Sequence, residues 1–159
     1  MDKRIEKAAG RLAEAVRFPT VSYHKLEDMD LEVFGRFLSF LESAYPLIHE
    51  KLDRTLINGY SPVFHWAGRG KRRPLLLLAH YDVVPALEEG WTYEGPYSGV
   101  IDQDRVWGRG SMDNKSSVIS LMETVEWLLE EDFEPAGDIW IAFGFDEEVN
   151  GRQGAQKIV

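Results

Sequence analysis

Three stretches of this chain carry side chains able to bind a cation or move a proton. His80-Tyr81-Asp82 follows directly on the apolar run LLLLA. Asp113 closes the run Gly108-Arg109-Gly110-Ser111-Met112-Asp113, just ahead of an amphipathic segment. Asp146-Glu147-Glu148 follows the apolar run IWIAFGF. Each has an ordinary explanation beside the chemical one. Residues two apart on a strand point the same way, so Asp82 could accept the N–H of an imidazole whose other nitrogen holds a metal ion. The same pair could equally be a strand-end histidine beside a capping aspartate. Asp113 could bridge two cations from a tight glycine loop, or simply cap the helix that follows. Three successive carboxylates could form a solvated acidic turn. After a buried strand, however, they repel one another unless a cation sits there. In a metal hydrolase one carboxylate binds the metal while its neighbour takes the proton of an activated water.

The elements around these clusters decide whether they can meet. Apolar residues at helical spacing predict a helix over 3–17, stopped by Pro19, and a second over 31–45, with Leu31, Phe34, Leu38 and Leu41 as its stripe and Pro46 closing it. Residues 48–57 and 63–66 read as strands around a turn at Gly59–Pro62. The basic segment 68–74 reads as a solvated hairpin tip. Leu75 to Ala79 is a continuous apolar run of the kind found in a strand buried on both faces. Residues 85–112 form a long loop with a short strand pair near 99–106. Residues 116–130 form an amphipathic helix, with Val118, Leu121, Met122, Val125, Leu128 and Leu129 facing inward. Residues 138–145 form a second buried strand, and the tail turns helix-like. Strand, helix, strand in this order predicts an α/β fold: a mostly parallel sheet flanked by helices. Ligands of such sheets bind beyond the carboxyl ends of the strands, where all three clusters can converge.

Composition narrows the chemistry further. The chain has 159 residues, enough for one domain with a core, and a net charge of −9, which argues against a nucleic-acid partner. It has no cysteine, so a metal must sit on His, Asp or Glu. The first eighteen residues have charges throughout and no apolar stretch of a secretory leader, and no run approaches the ~18 apolar residues of a membrane span. A cytoplasmic location without a membrane partner is the expectation. His24, His49 and His65 read as surface or packing residues, and the aromatics of 91–107 as loop packing.

With these pieces in view the sequence resembles the zinc aminoacylase and carboxypeptidase family, which includes carboxypeptidase S, glutamate carboxypeptidase, acetylornithine deacetylase and succinyl-diaminopimelate desuccinylase. The resemblance rests on LLLLAHYDVVP (75–85), WTYEGPYSGVIDQDRVWGRGSMDNK (91–115), FGFDEEVNGRQGA (143–155) and the opening FPTVS (18–22). Their order and spacing are more specific than any one of them, and the carboxypeptidase S and N-acyl-amino-acid hydrolase branch is the nearest in character.

The resemblance implies an incomplete catalytic domain of a zinc exopeptidase-like fold. It implies that His80 binds one zinc, Asp82 orients His80, Asp113 bridges both zincs, Glu148 binds the other, and Glu147 is the general base. Two divalent ions roughly 3.5–4 Å apart would acidify a shared water and polarise the amide carbonyl of a small N-acyl amino acid or peptide. A histidine ligand suits zinc, cobalt or manganese better than magnesium or calcium.

The family also has an acidic ligand tens of residues further on, a histidine near its far C-terminus, and an inserted lid or dimerisation domain. Residues 1–159 would then be the N-terminal portion of the catalytic domain, an inactive fragment of an enzyme expected to form a homodimer through the missing lid domain. Asn150 stands where the family commonly has glycine. Two competing expectations are a non-catalytic remnant serving as a binding module, and a nucleotide-binding α/β domain cradling phosphate at Gly108–Gly110. The second of these lacks the G-x-x-x-x-G-K-[ST] run that would carry it.

Overall fold

The computed structural model describes residues 3–158. The elements run α1 (Lys3–Val16), α2 (Leu31–Ala44), α3 (Pro46–Lys51), β1 (Asp53–Ile57), β2 (Ser61–Trp66), β3 (Leu75–His80), β4 (Val100–Asp102), β5 (Arg105–Trp107), α4 (Lys115–Glu130), β6 (Ile139–Gly144) and α5 (Ala155–Ile158). Short 3₁₀ turns at Leu26–Asp28 and Glu147–Val149 complete it. Among the described residues no helix is long and apolar enough to cross a membrane.

The expected α/β architecture is present, with the sheet mixed in direction. Its order is β1-β2-β6-β3; β3 and β6 are parallel, whereas β1–β2 and β2–β6 are antiparallel. Connections explain this. The turn 58–60 joins β1 to β2 with Asn58 and Gly59 at positive φ, and a hairpin turn can only reverse the chain. The loop 67–74 between β2 and β3 holds no helix. Of the connections within this sheet, only that from β3 to β6 contains a helix, α4, and a parallel pair needs such a crossover. Strand content was readable from apolar runs; strand direction depended on what lies between them.

The stretch predicted to begin a strand at Ile48 is helical until Lys51. Pro46 closes α2 and also opens α3, because its fixed φ suits the first helical position. Glu126 of α4 completes that helix start, its carboxylate accepting the backbone N–H groups of Leu47 (3.1 Å) and Ile48 (3.0 Å). The α2 stripe is also wider than expected: Phe37 and Phe40 join Phe34 and Leu41 in the core, while Leu38 is only half-buried.

Core residues come from α2, α3, α4 and one face of the sheet, with Phe64, Ile141 and Phe143 pointing into it. Phe37 stacks on Tyr81 with ring centroids 4.7 Å apart, and Phe34 meets Tyr81 and Phe145 edge-on. Tyr81 and Phe145 are the residues that follow His80 and precede Asp146, so the core grips both strand ends where they leave the sheet. The run Leu75–Ala79 is not buried on both faces: Leu77 and Ala79 pack on the core, but Leu76 and Leu78 are 55% and 62% exposed. β3 is an edge strand among the described residues, and α5 lies against β2 and β6 rather than over it.

Candidate metal centre

β3 and β6 pair in register from Leu75↔Ile139 to His80↔Gly144, so both carboxyl ends leave the sheet on one edge. His80, the last residue of β3, is 6% exposed. Its Nδ1 lies 3.2 Å from the backbone oxygen of Asp82 and 3.3 Å from Asp82 Oδ1. Its Nε2 faces Asp113 Oδ1 at 3.0 Å and Glu147 Oε2 at 3.7 Å. One ligand atom each from His80, Asp113 and Glu148 lies within 4.8 Å of the other two. The three residues that the sequence singled out as metal ligands therefore stand together, with Glu147 beside them.

Each partner is placed by its own local device. Asp82 is completely buried; its Oδ1 accepts the backbone N–H of Glu147 and its Oδ2 that of Glu148, both at 3.1 Å. One carboxylate thus faces His80 and fastens the 3₁₀ turn that carries Glu147 and Glu148. Asp113 ends a loop pressed close to the strand end. Gly110 has φ +84°, and a Cβ there would stand 2.7 Å from Val83 Cγ1. The helix-cap role open to Asp113 is not taken: α4 starts after Asn114, and the Asp113 side chain turns to His80. The Asp113–Asn114 peptide is cis. Behind the loop, the fully buried Lys115 gives its ammonium to the backbone oxygens of Ala15 (3.0 Å) and Phe18 (2.5 Å), tying the loop to the end of α1.

Asp146 separates from its neighbours. It is buried, and its two oxygens accept the N–H groups of Gln153 (2.7 Å) and Gly154 (2.8 Å). Of the three successive carboxylates, one is a structural anchor turned inward, and Glu147 and Glu148 remain at the site.

The electrostatics fit a cation. Burial alone would pull the His80 imidazole down, but Asp82, Glu147 and Asp113 outweigh it and hold the ring at about 9. The Glu148 carboxyl is pushed up, first by burial and then by the charge of Asp113, with His80 opposing and Asp82 and Glu147 adding to the rise. Burial draws the Lys115 ammonium down to about 7, against the pull of Asp82. A site whose neighbouring carboxylates push Glu148 up is short of positive charge. One imidazole nitrogen with two carboxylates suits zinc, cobalt or manganese.

His49 packs on Phe64, with its Nδ1 2.9 Å from the Tyr45 oxygen. His65 stacks on Trp140 at 4.2 Å between rings and, against expectation, has acidic neighbours, Asp138 at 3.3 Å and Asp53 at 3.7 Å, contributed by adjoining strand ends. The basic loop 68–74 is solvated, with Arg69 paired to Glu134. It links two strands that are not neighbours, so it is not a hairpin tip. Tyr93 and Trp107 pack edge-on, as loop aromatics should. Lys115 and Ser22, whose hydroxyl donates to Asp82 Oδ2 at 2.6 Å, were not anticipated. Both lie inside runs quoted for the family resemblance, which was the one available signal.

Fold and cluster together describe an α/β domain with a histidine–carboxylate centre at the carboxyl edge of a parallel strand pair. Residues 76–159, more than half of the chain, match the family model described as Peptidase family M20/M25/M40, and the chain belongs to that family. It is 42% identical over 154 residues to probable carboxypeptidase S-like 2 of Dictyostelium discoideum, covering 94% of this chain and 30% of that protein. It is 38% identical to the N-fatty-acyl-amino acid synthase/hydrolase PM20D1 of Mus musculus, covering 92% and 29%. It is also 38% identical to carboxypeptidase S of Saccharomyces cerevisiae, covering 93% and 27%. The chain therefore spans under a third of the length of these relatives. Human carnosine dipeptidase 1 shares the fold with a TM-score of 0.79 at 17% identity, over 96% of this chain and 34% of that one. The di-peptidase Dug1p of Saccharomyces cerevisiae shares it with a TM-score of 0.66 at 21% identity, over 89% and 33%.

Proposed function

We propose that the intact protein is a metal-dependent hydrolase that cleaves the amide bond of an N-acyl amino acid or of the C-terminal residue of a small peptide. The observation that carries this reading is the gathering of His80, Asp113 and Glu148 within 4.8 Å, with Glu147 at the same imidazole. The names of the relatives, carboxypeptidase S and an N-fatty-acyl-amino acid synthase/hydrolase, support the substrate class.

In this reading His80, Asp113 and Glu148 would hold divalent cations, zinc first. Lewis acidity is what the cations supply when bound: an acidified water and a polarised carbonyl. Asp82 keeps the proton on His80 Nδ1, so that Nε2 offers its lone pair outward. Glu147, whose carboxylate is more than half exposed beside the buried His80, takes the proton of the attacking water and returns it to the departing amine.

Replacing Glu147 by Gln in the intact protein tests this. Hydrolysis of N-acyl amino acids and dipeptides should fall by about 10²–10⁴-fold, the usual contribution of a positioned base. Metal content by atomic absorption should stay at the wild-type level. Retained turnover in a Glu147→Gln protein with full metal would remove Glu147 from the reaction.

A further inference from the structure

We infer that Ser22 is a positioning residue of the metal centre, acting through Asp82. This rests on the metal-site reading above. A carboxylate has about four acceptor sites, two on each oxygen. Asp82, with no solvent contact, meets four donors. Oδ1 accepts Glu147 N–H at 3.1 Å and lies 3.3 Å from His80 Nδ1, which also faces the Asp82 backbone oxygen at 3.2 Å; Oδ2 accepts Glu148 N–H at 3.1 Å and the Ser22 hydroxyl at 2.6 Å. Ser22 makes the shortest of these contacts, in the range of a charge-assisted O–H···O⁻ bond. It is also the one donor of the four that comes from outside the site's own strand ends. Water cannot take its place, because Ser22 is itself 2% exposed.

Residues 20–22 are held as a strap along the end of β3. Val21 bridges Val83 in parallel, Val83 N–H donates to Thr20 O (3.0 Å), and Ser22 N–H donates to Val83 O (3.2 Å). The Thr20 hydroxyl donates to Tyr81 O at 2.6 Å. The strap therefore carries two buried hydroxyls one turn of the pleat apart. That of Thr20 fixes backbone; that of Ser22 fixes the carboxylate on which both the His80 ring and the Glu147–Glu148 turn depend. Without the Ser22 donor, Oδ2 keeps only the Glu148 N–H, and the carboxylate loses its shortest contact and the one that sets its rotation against His80 and the turn.

The two hydroxyls make a matched test in the intact protein. Zinc affinity is read by competition with a chromophoric chelator, and folding by thermal unfolding, for wild type, Ser22→Ala and Thr20→Val. Partners of this kind usually change metal affinity by 10–100-fold. Ser22→Ala should weaken zinc binding by that factor, while Thr20→Val, which frees only the backbone oxygen of Tyr81, lowers the melting temperature with a clearly smaller loss of zinc affinity. Equal zinc affinity in wild type and Ser22→Ala, or an equal loss in Thr20→Val, overturns the inference and reduces Ser22 to a strap contact. A wild-type protein that takes up no zinc overturns the metal-site reading itself, so the two failures are distinguishable.

Discussion

On one face of the sheet Phe64, Ile141 and Phe143 are at most 1% exposed; on the other Leu76, Leu78 and Trp140 are 55%, 62% and 39% exposed. The strands supply apolar side chains to both faces, but the long helices pack on the first, and on the second only the short α5 lies, against β2 and β6. The candidate site lies where the faces meet at the strand ends. Strand alternation assigns its parts. His80 has the parity of Leu76 and Leu78 and closes the open face, while Tyr81 and Phe145 have the parity of the core. A groove of about 540 Å³ runs over Leu76, Leu78, Trp140, Ala142 and Ile158 to His80 and Glu147. The site is thus approached over the open face and held in place from the closed one, through Tyr81, the strap 20–22 and Lys115.

If this division is right, the largest stability effects belong to the closed face. Phe34 is fully buried and touches Tyr60, Tyr81 and Phe145. Phe34→Ala should cost about 3–5 kcal/mol, as aromatic truncations in a packed core do, read from chemical denaturation. Because Tyr81 and Phe145 adjoin His80 and Asp146, the same variant should loosen the candidate site. A loss below about 1 kcal/mol would mean that the aromatic cluster is not the site's support.

The next effect is smaller and polar. Glu126 is 6% exposed and satisfies two N–H groups at the start of α3. Glu126→Ala leaves those donors without their acceptor, with an expected cost of about 1–3 kcal/mol. Amide exchange at Leu47 and Ile48 should accelerate. Unchanged exchange there would show that α3 is held by its apolar contacts alone.

The sequence exposed these features unevenly. His80, Glu147 and Glu148 stood out because residue type, motif order and strand-end position agreed, and Asp113 because its glycine loop sits directly before α4. Helices α1, α2 and α4 were readable from their period. The bareness of Leu76 and Leu78 was not, because four consecutive leucines look the same whether one face or two are covered. The inward turn of Asp146 was equally hidden, since its acceptors are met by backbone N–H groups of Gln153 and Gly154, which have no side-chain signature. Ser22 and Lys115 lie 58 residues before and 35 residues after His80 in the chain, and only the folded strap and loop bring them to Asp82 and the end of α1.

Leu77 and Leu78 test the contrast at its narrowest point. They are neighbours in β3 with the same composition and the same hydrogen-bonded ladder to Ile141 and Ala142 of β6. Strand propensity and backbone entropy therefore cancel between them, and the difference that remains is the face each side chain meets. Leu77 packs on the core, so Leu77→Ala in the polypeptide of residues 1–159 should cost about 2–3 kcal/mol, toward the lower end of core leucine truncations because it is only part-buried. Leu78 is 62% exposed, and Leu78→Ala should stay within about 0.5 kcal/mol, the range of surface changes. Leu78→Lys should be tolerated too, since its charge stays in water. Equal costs at 77 and 78 would mean that the outer face is covered in solution, and the groove leading to His80 would then be closed rather than open.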